Sequence, residues 1–201
     1  MFNRFFSLLT GIFLLLAGAA LAQDKSMMDD RVLGNPDAKI TIYDYSSLTC
    51  SHCAEFHGKT LPQLKKEWID TGKAKLIFRD FPFDKAALHA SKLARCLDRD
   101  KYYPFLDVLF HNQANWARAK DPLKAIDTLA LMAGLNKEKI SQCTDNEGLA
   151  NAIIAQRMQG EKQYTINSTP TFVLKAGSDE KRINGALSYD EFDKTLKSLS
   201  K

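Results

Sequence analysis

The chain lacks several things that would set its class. After the first 22 residues it has no long apolar run, so no membrane span is expected beyond that point. It has no block of Lys and Arg, and its net charge is only +4, so nucleic acid is not an indicated partner. No internal repeat, low-complexity tract or coiled-coil heptad run appears, and a monomer is expected. Cysteine is scarce, at four residues. The remaining composition, 45% hydrophobic and 26% charged over 201 residues, is ordinary for a globular protein. That length supports one domain, with room for a substantial insertion.

The N-terminus reads as an export signal. Arg4 supplies a positive charge, Phe5 to Leu16 is apolar, and small residues lead to Ala20-Leu21-Ala22. This is the layout of a secretory signal peptide over residues 1–22, with cleavage expected before Gln23. No cysteine stands at the cut site, so a lipoprotein anchor is not expected. All four cysteines lie beyond it, an even count that suits an oxidising compartment.

Two strand patterns bracket a helical one. Lys39 to Tyr45 alternates and is rich in β-branched and aromatic residues, as is Lys75 to Arg79. Between them a helix should start near Cys50 and run toward Trp68 and Ile69, with Pro62 expected to kink or split it. From Asp84 to about Tyr164 the periodicity is helical throughout. Asp121-Pro122 marks a helix start, Gly134 a stop, and Thr144 to Glu147 has a capping-box pattern. Strands return at Thr171 to Leu174 and Arg182-Ile183, joined by a turn at Ala176 to Asp179. A last helix opens with a second capping box at Ser188 to Glu191 and carries Phe192, Leu196 and Leu199 on one stripe. The outer elements, 23–83 and 165–201, predict an α/β unit with a mixed sheet; 84–164 predicts an all-helical insertion.

Cys50-Ser51-His52-Cys53 carries the chemistry. Two thiols spaced C-x-x-C at a helix start can close a small disulfide and reopen it. The thiolate is the reactive species, and the unpaired N–H groups and dipole of a helix N-terminus favour it. Cys50 is therefore expected to be the exposed nucleophile and Cys53, one turn in, the buried resolving partner. A dipole worth up to about 2 kcal/mol changes ionisation only about thirtyfold. A strongly oxidising pair needs more, from hydrogen bonds to the sulfur and from His52. Other readings stay open: a structural disulfide, or part of a zinc site with His57 as third ligand. His57 on its own reads as a solvated helix residue. Asp44 precedes the dithiol on the strand, and alternation does not settle its face. Exposed, it is a strand-end carboxylate; buried beneath Cys53, it can shuttle that thiol's proton. Pro170, taken alone, predicts a trans bond.

Together, Tyr43-Asp44-Tyr45, Cys50-Ser51-His52-Cys53, Arg79-Asp80-Phe81-Pro82, the helical block and Thr169-Pro170-Thr171-Phe172 resemble the DsbA-like thiol:disulfide oxidoreductases of the thioredoxin superfamily. The resemblance covers essentially all of the chain after residue 22. It implies a thioredoxin-like fold with an inserted all-helical domain, no cofactor, and a periplasmic location. By it Cys50 is the nucleophile, Cys53 the resolving cysteine, His52 the histidine that tunes the thiolate, and Asp44 the buried acid. Thr169-Pro170 matches the loop with a cis-proline that faces the dithiol and pairs with substrate backbone. Ser51 stands where the best-known members have proline. Thr169 stands where DsbA has valine, and threonine there is familiar from DsbC-type isomerases. Both positions bear on redox poise. Such isomerases use an N-terminal dimerisation domain, for which the stretch before Lys39 is too short. The likeness is greatest to α-proteobacterial DsbA proteins with an additional disulfide, which implies a Cys96–Cys143 bond; otherwise both read as buried thiols packing as small hydrophobes.

The function expected on these grounds is oxidation of reduced, unfolded protein substrates, with a DsbB-like membrane partner restoring the Cys50–Cys53 disulfide. Rivals are a disulfide isomerase or reductase, a peptide-binding chaperone that does not use its thiols, and a zinc module.

Overall fold

The computed structural model describes residues 27–200. The segment read as a signal peptide, 1–22, lies outside them.

Alternation along Ile40–Ser46 (β2) divides its side chains between two cores. Ile40 and Ile42 face one apolar cluster, while Tyr45 packs with Phe81, Ile166 and Val173 on the other side. Ala74–Asp80 (β3) pairs parallel with β2. Val32–Leu33 (β1) adds an antiparallel edge to β3; the sequence reading missed it because two residues carry no period. Thr171–Ala176 (β4) runs antiparallel to β2, and Asp179–Asn184 (β5) returns beside β4. The β4–β5 turn is Gly177-Ser178, with Gly177 at φ +59°, a conformation that suits glycine. The sheet order is β1-β3-β2-β4-β5.

A parallel pair needs a crossover, and residues 51–69 (α1) supply it. This rod is α-helical at Ser51–Glu55 and Leu61–Leu64 and widens to π-type turns at Phe56–Thr60 and Lys65–Ile69. The expected split at Pro62 does not occur. Proline has no N–H and crowds the carbonyl four residues back; the widened turn before it relieves both, and the helix runs on. α1 packs Phe56, Leu64, Trp68 and Ile69 onto the sheet beside Phe192, Leu196 and Leu199 of the last helix, Tyr189–Leu199 (α8). Each such fully buried apolar side chain contributes about 1.5–3 kcal/mol. At the start of α8 the Glu191 carboxylate accepts the Ser188 backbone N–H at 3.0 Å.

Between β3 and β4 lie Lys85–Cys96 (α2), Arg99–His111 (α3), Gln113–Trp116 (α4), Pro122–Met132 (α5), Lys137–Thr144 (α6) and Glu147–Tyr164 (α7). Asp121 caps α5 through the Lys124 N–H, and Gly134 follows that helix at φ +103°. The capping box expected from Thr144 is displaced. Thr144 closes α6, and Asn146 caps α7 by accepting the Leu149 N–H. These helices share a core of Leu93, Tyr102, Phe105, Leu109, Trp116 and Ile126 that also takes in Leu48, Cys53 and Phe78. Arg95 on α2 bonds Asp80 at the end of β3 with Nε···Oδ2 2.8 Å, both fully buried. Cys96 and Cys143 form a disulfide linking α2 and α6.

The disulfide closes a loop with a sequence separation of 47 residues. In the chain-entropy picture this is worth about 4 kcal/mol, with engineered cases often lower. We expect Cys96→Ala/Cys143→Ala to lose about 2–4 kcal/mol in urea unfolding while keeping thiol reactivity at Cys50. An unchanged midpoint would show that the bond does not limit stability.

Candidate active site

Cys50 is the residue at which extended chain becomes helix. Its backbone is still extended (φ −80°, ψ 121°), and α1 starts at Ser51. The backbone N–H groups of His52 and Cys53 therefore turn toward its sulfur. Cys50 is half-buried, Cys53 is fully buried, and both are free thiols. The cis peptide Thr169–Pro170 lies opposite, with the Cys50 Sγ 3.4 Å from the Thr169 carbonyl oxygen. The buried Thr169 hydroxyl bonds to no other group among the described residues, and its contact with Cys50 favours the thiolate.

The two sulfurs are electrostatically unequal. The Cys53 S–H, donated to Cys50, is the chief reason the Cys50 thiol falls to about 5. Thr169 and the two N–H groups add to this, and partial burial opposes it. Burial pushes the Cys53 thiol far above the ordinary range, reinforced by its bond to Cys50 and by negative charge on Cys50 and Asp44. Cys50 therefore ionises first, and Cys53 holds its proton.

Asp44 lies beneath. Strand alternation puts it on the face of Ile40 and Ile42, under α1, between the register neighbours Phe78 and Phe172. It is fully buried. One carboxylate oxygen accepts the Ser46 hydroxyl, and the other is 3.0 Å from His57 Nε2. The Ser46 hydroxyl also bonds Cys53. His57 corrects the sequence reading. It is not solvated but 3% exposed, stacked on Phe110 at 3.9 Å with Phe56 and Phe78 at its edges. Its place follows from spacing: four residues after Cys53, it lies on the same inward face of the helix. Facing Asp44, it does not join the thiols as a zinc ligand.

Two candidates lie on the surface. Ser51 is exposed. His52 is 72% exposed, with Nδ1 3.6 Å from Glu55 on the next turn; its contribution to the Cys50 sulfur is a backbone N–H, not the ring. Two supports come from the helical block. Gln113 Nε2 donates to the carbonyls of Leu48 (2.8 Å) and Cys50 (2.9 Å), and Asp84 accepts from Thr49 at 2.6 Å. Sequence gave no signal for Gln113, which lies 63 residues from Cys50. Ser46 was readable as a neighbour of Asp44, since residues two apart on a strand share a face.

A family model described as thioredoxin matches residues 26–198. The chain belongs to the thioredoxin family. Within it the chain is DsbA-like, and its fold matches DsbA structures. The crystal structure of Wolbachia pipientis alpha-DsbA1 superposes with a TM-score of 0.79 at 28% identity, covering 86% of this chain and 91% of that one. A Rickettsia bellii protein named "Putative protein-disulfide oxidoreductase" is 31% identical over 153 residues, 76% of this chain. The match spans 59% of that relative's length. Disulfide bond formation protein D of Bacillus subtilis is 26% identical over 187 residues, 88% of this chain and 80% of that protein. In thioredoxin-family terms, the dithiol, the buried acid and the cis-proline loop meet at one end of the sheet.

The sign of the pH dependence follows from Cys50. Between about 5 and the ordinary thiol value of 9.0, the folded reduced protein binds fewer protons than the unfolded chain. Its stability therefore rises with pH through that window, and the gain is lost as pH falls through about 5. In native reduced protein, iodoacetamide should label Cys50 with a midpoint near 5 and spare Cys53. Equal labelling of both thiols, with a midpoint near 9, contradicts the asymmetry.

Proposed function

We propose that this protein is an exported thiol:disulfide oxidoreductase that introduces disulfides into reduced, unfolded proteins. The observation that carries the reading is the inequality of the two thiols. Cys50 is stabilised as a thiolate beside Thr169–Pro170, while Cys53 is buried and held protonated. A stabilised reduced form makes a disulfide a stronger oxidant.

In the oxidised protein a substrate thiolate attacks the Cys50 sulfur. The substrate–Cys50 bond forms, the Cys50–Cys53 bond breaks, and Cys53 leaves with the electron pair and takes a proton. A second substrate thiolate attacks the first substrate sulfur, and Cys50 leaves as a thiolate. The substrate is oxidised by two electrons and the enzyme is reduced. Cys50, Cys53 and Asp44 carry the exchange, the Ser51 and His52 backbone opens the helix over Cys50, and Thr169 and Pro170 border the substrate. No cofactor enters. A DsbB-like membrane partner would accept the electrons and restore the disulfide. We assign the signal peptide to 1–22, the catalytic unit to 23–83 with 165–201, the helical insertion to 84–164, and the location to the periplasm. The protein is expected to act as a monomer without nucleic acid. Among the described residues no helix is long and apolar enough to cross a membrane.

Isomerisation or reduction is the second reading, and the Thr169 hydroxyl at Cys50 favours keeping it in view. Equilibration with glutathione separates the two. A potential near about −120 mV supports the oxidase; about −200 mV or below supports isomerisation or reduction. Thr169→Val removes a donor to the thiolate and should lower the potential by about 30 mV, a tenfold change in equilibrium constant. Cys50→Ala should abolish exchange; full function in that variant overturns the reading in favour of peptide binding.

A further inference from the structure

The turn that carries the nucleophile joins β2 to α1, yet its carbonyls are held from the helical block. Ser47 to Cys50 closes on itself, the Cys50 N–H donating to the Ser47 carbonyl at 3.1 Å. Gln113, the first residue of α4, spans this turn with one amide nitrogen. Its Nε2 lies 2.8 Å from the Leu48 oxygen and 2.9 Å from the Cys50 oxygen, so each of its N–H groups serves one carbonyl. Gln113 is 7% exposed and Leu48 1%, so water competes poorly for these bonds. Satisfying the backbone does not account for both. The Cys50 oxygen already accepts the Ala54 N–H at 3.1 Å, the first bond of α1. The second donor adds direction.

We propose that Gln113 is a positioning residue for the nucleophile: it clamps the Leu48–Cys50 turn so that the Cys50 sulfur stays in line with the donors around it, and exchange at Cys50 thereby depends on how the helical block is seated. The inference rests on the thiol-exchange reading. In that exchange Cys50 leaves as a thiolate in the second step. Loss of alignment makes it a poorer leaving group and the disulfide a weaker oxidant.

The sulfur is what needs direction. Hydrogen bonds weaken steeply as donor and acceptor leave line. The Cys50 sulfur depends on several at once: the His52 and Cys53 backbone N–H groups, the Cys53 S–H and the Thr169 contact. Those donors are fixed by α1 and by the cis-proline loop. The sulfur is fixed through the backbone of residue 50, which is still extended and precedes the helix. A small rotation of the turn carries it out of line with all of them. Gln113 reaches that turn from an anchored base. Trp116, at the other end of α4, is 2% exposed and donates its indole N–H to the Leu109 carbonyl of α3 at 2.7 Å. On the other flank Asp84 accepts the Thr49 hydroxyl at 2.6 Å. It holds a side chain and leaves the two carbonyls to Gln113.

The test compares wild type with Gln113→Met, which keeps the length of the side chain and removes both donors. Two numbers are read from each: the pH midpoint of iodoacetamide labelling at Cys50, and the equilibrium constant with glutathione. Gln113→Met is expected to hold about tenfold less thiolate at a given pH, raising the labelling midpoint by about one on the pH scale. Its glutathione equilibrium should move about tenfold toward the oxidised protein, the same fold-change read as about 30 mV. Cys96→Ala/Cys143→Ala is the control for stability alone. It loosens the helical block without touching the turn and should leave both numbers at their wild-type values. A folded Gln113→Met whose two numbers overlay the wild type overturns the proposal. So does a disulfide-free variant that moves them as far, because the effect then follows stability and not the clamp. Should Gln113→Met not fold, Gln113→Asn, one carbon too short to span both carbonyls, is read by the same two numbers. Failure of oxidised wild-type protein to react with glutathione overturns the exchange reading itself, a result distinct from loss of the clamp.

Discussion

Everything at the site depends on the inequality between two sulfurs three residues apart. A helix N-terminus alone offers about 2 kcal/mol to a negative charge, too little to bring a thiol down to about 5. The larger contribution is the S–H that Cys53 donates, and Cys53 can donate because burial denies it ionisation. Burial of one sulfur thus tunes the other. That burial is set by Leu48, Phe78 and the helical block around Cys53, so the reactivity of the half-buried Cys50 sulfur is tuned by packing behind it.

The helical block is tied to the sheet by contacts that bear on the site. Gln113 holds the carbonyls on either side of the strand-to-helix turn, Asp84 holds Thr49, and the Arg95–Asp80 pair locks α2 to the end of β3. Removing one partner of such a buried pair is severe, about 3–5 kcal/mol, because the other charge is stranded. The insertion therefore has a physical function beyond covering a surface: it fixes where Cys50 leaves the strand and enters the helix.

The motif residues divide by what their side chains do. Asp44, Ser46 and His57 form a buried polar line under Cys53, surrounded by phenylalanines. His52, in the middle of the motif and chemically the more suggestive histidine, turns outward to Glu55. Proximity in sequence favoured His52. Helix geometry favours His57, because a residue four positions on shares the inward face of Cys53 whereas His52 does not.

By itself the sequence determined the strand–helix–strand frame, the helical block and the position of Cys50 at a helix start. Those follow from local periodicity and from the backbone N–H groups that any helix leaves free. It also carried the family likeness, because short motifs survive as words. Tertiary structure decided the face on which Asp44 lies, the burial of His57, the outward turn of His52, the bond from Gln113 and the bond between Cys96 and Cys143. Each joins residues from different elements, and a single chain's periodicity holds no record of distance between elements. Pro62 is the intermediate case. Its lost N–H was legible, but the widened turn at Phe56–Thr60 that accommodates it was not.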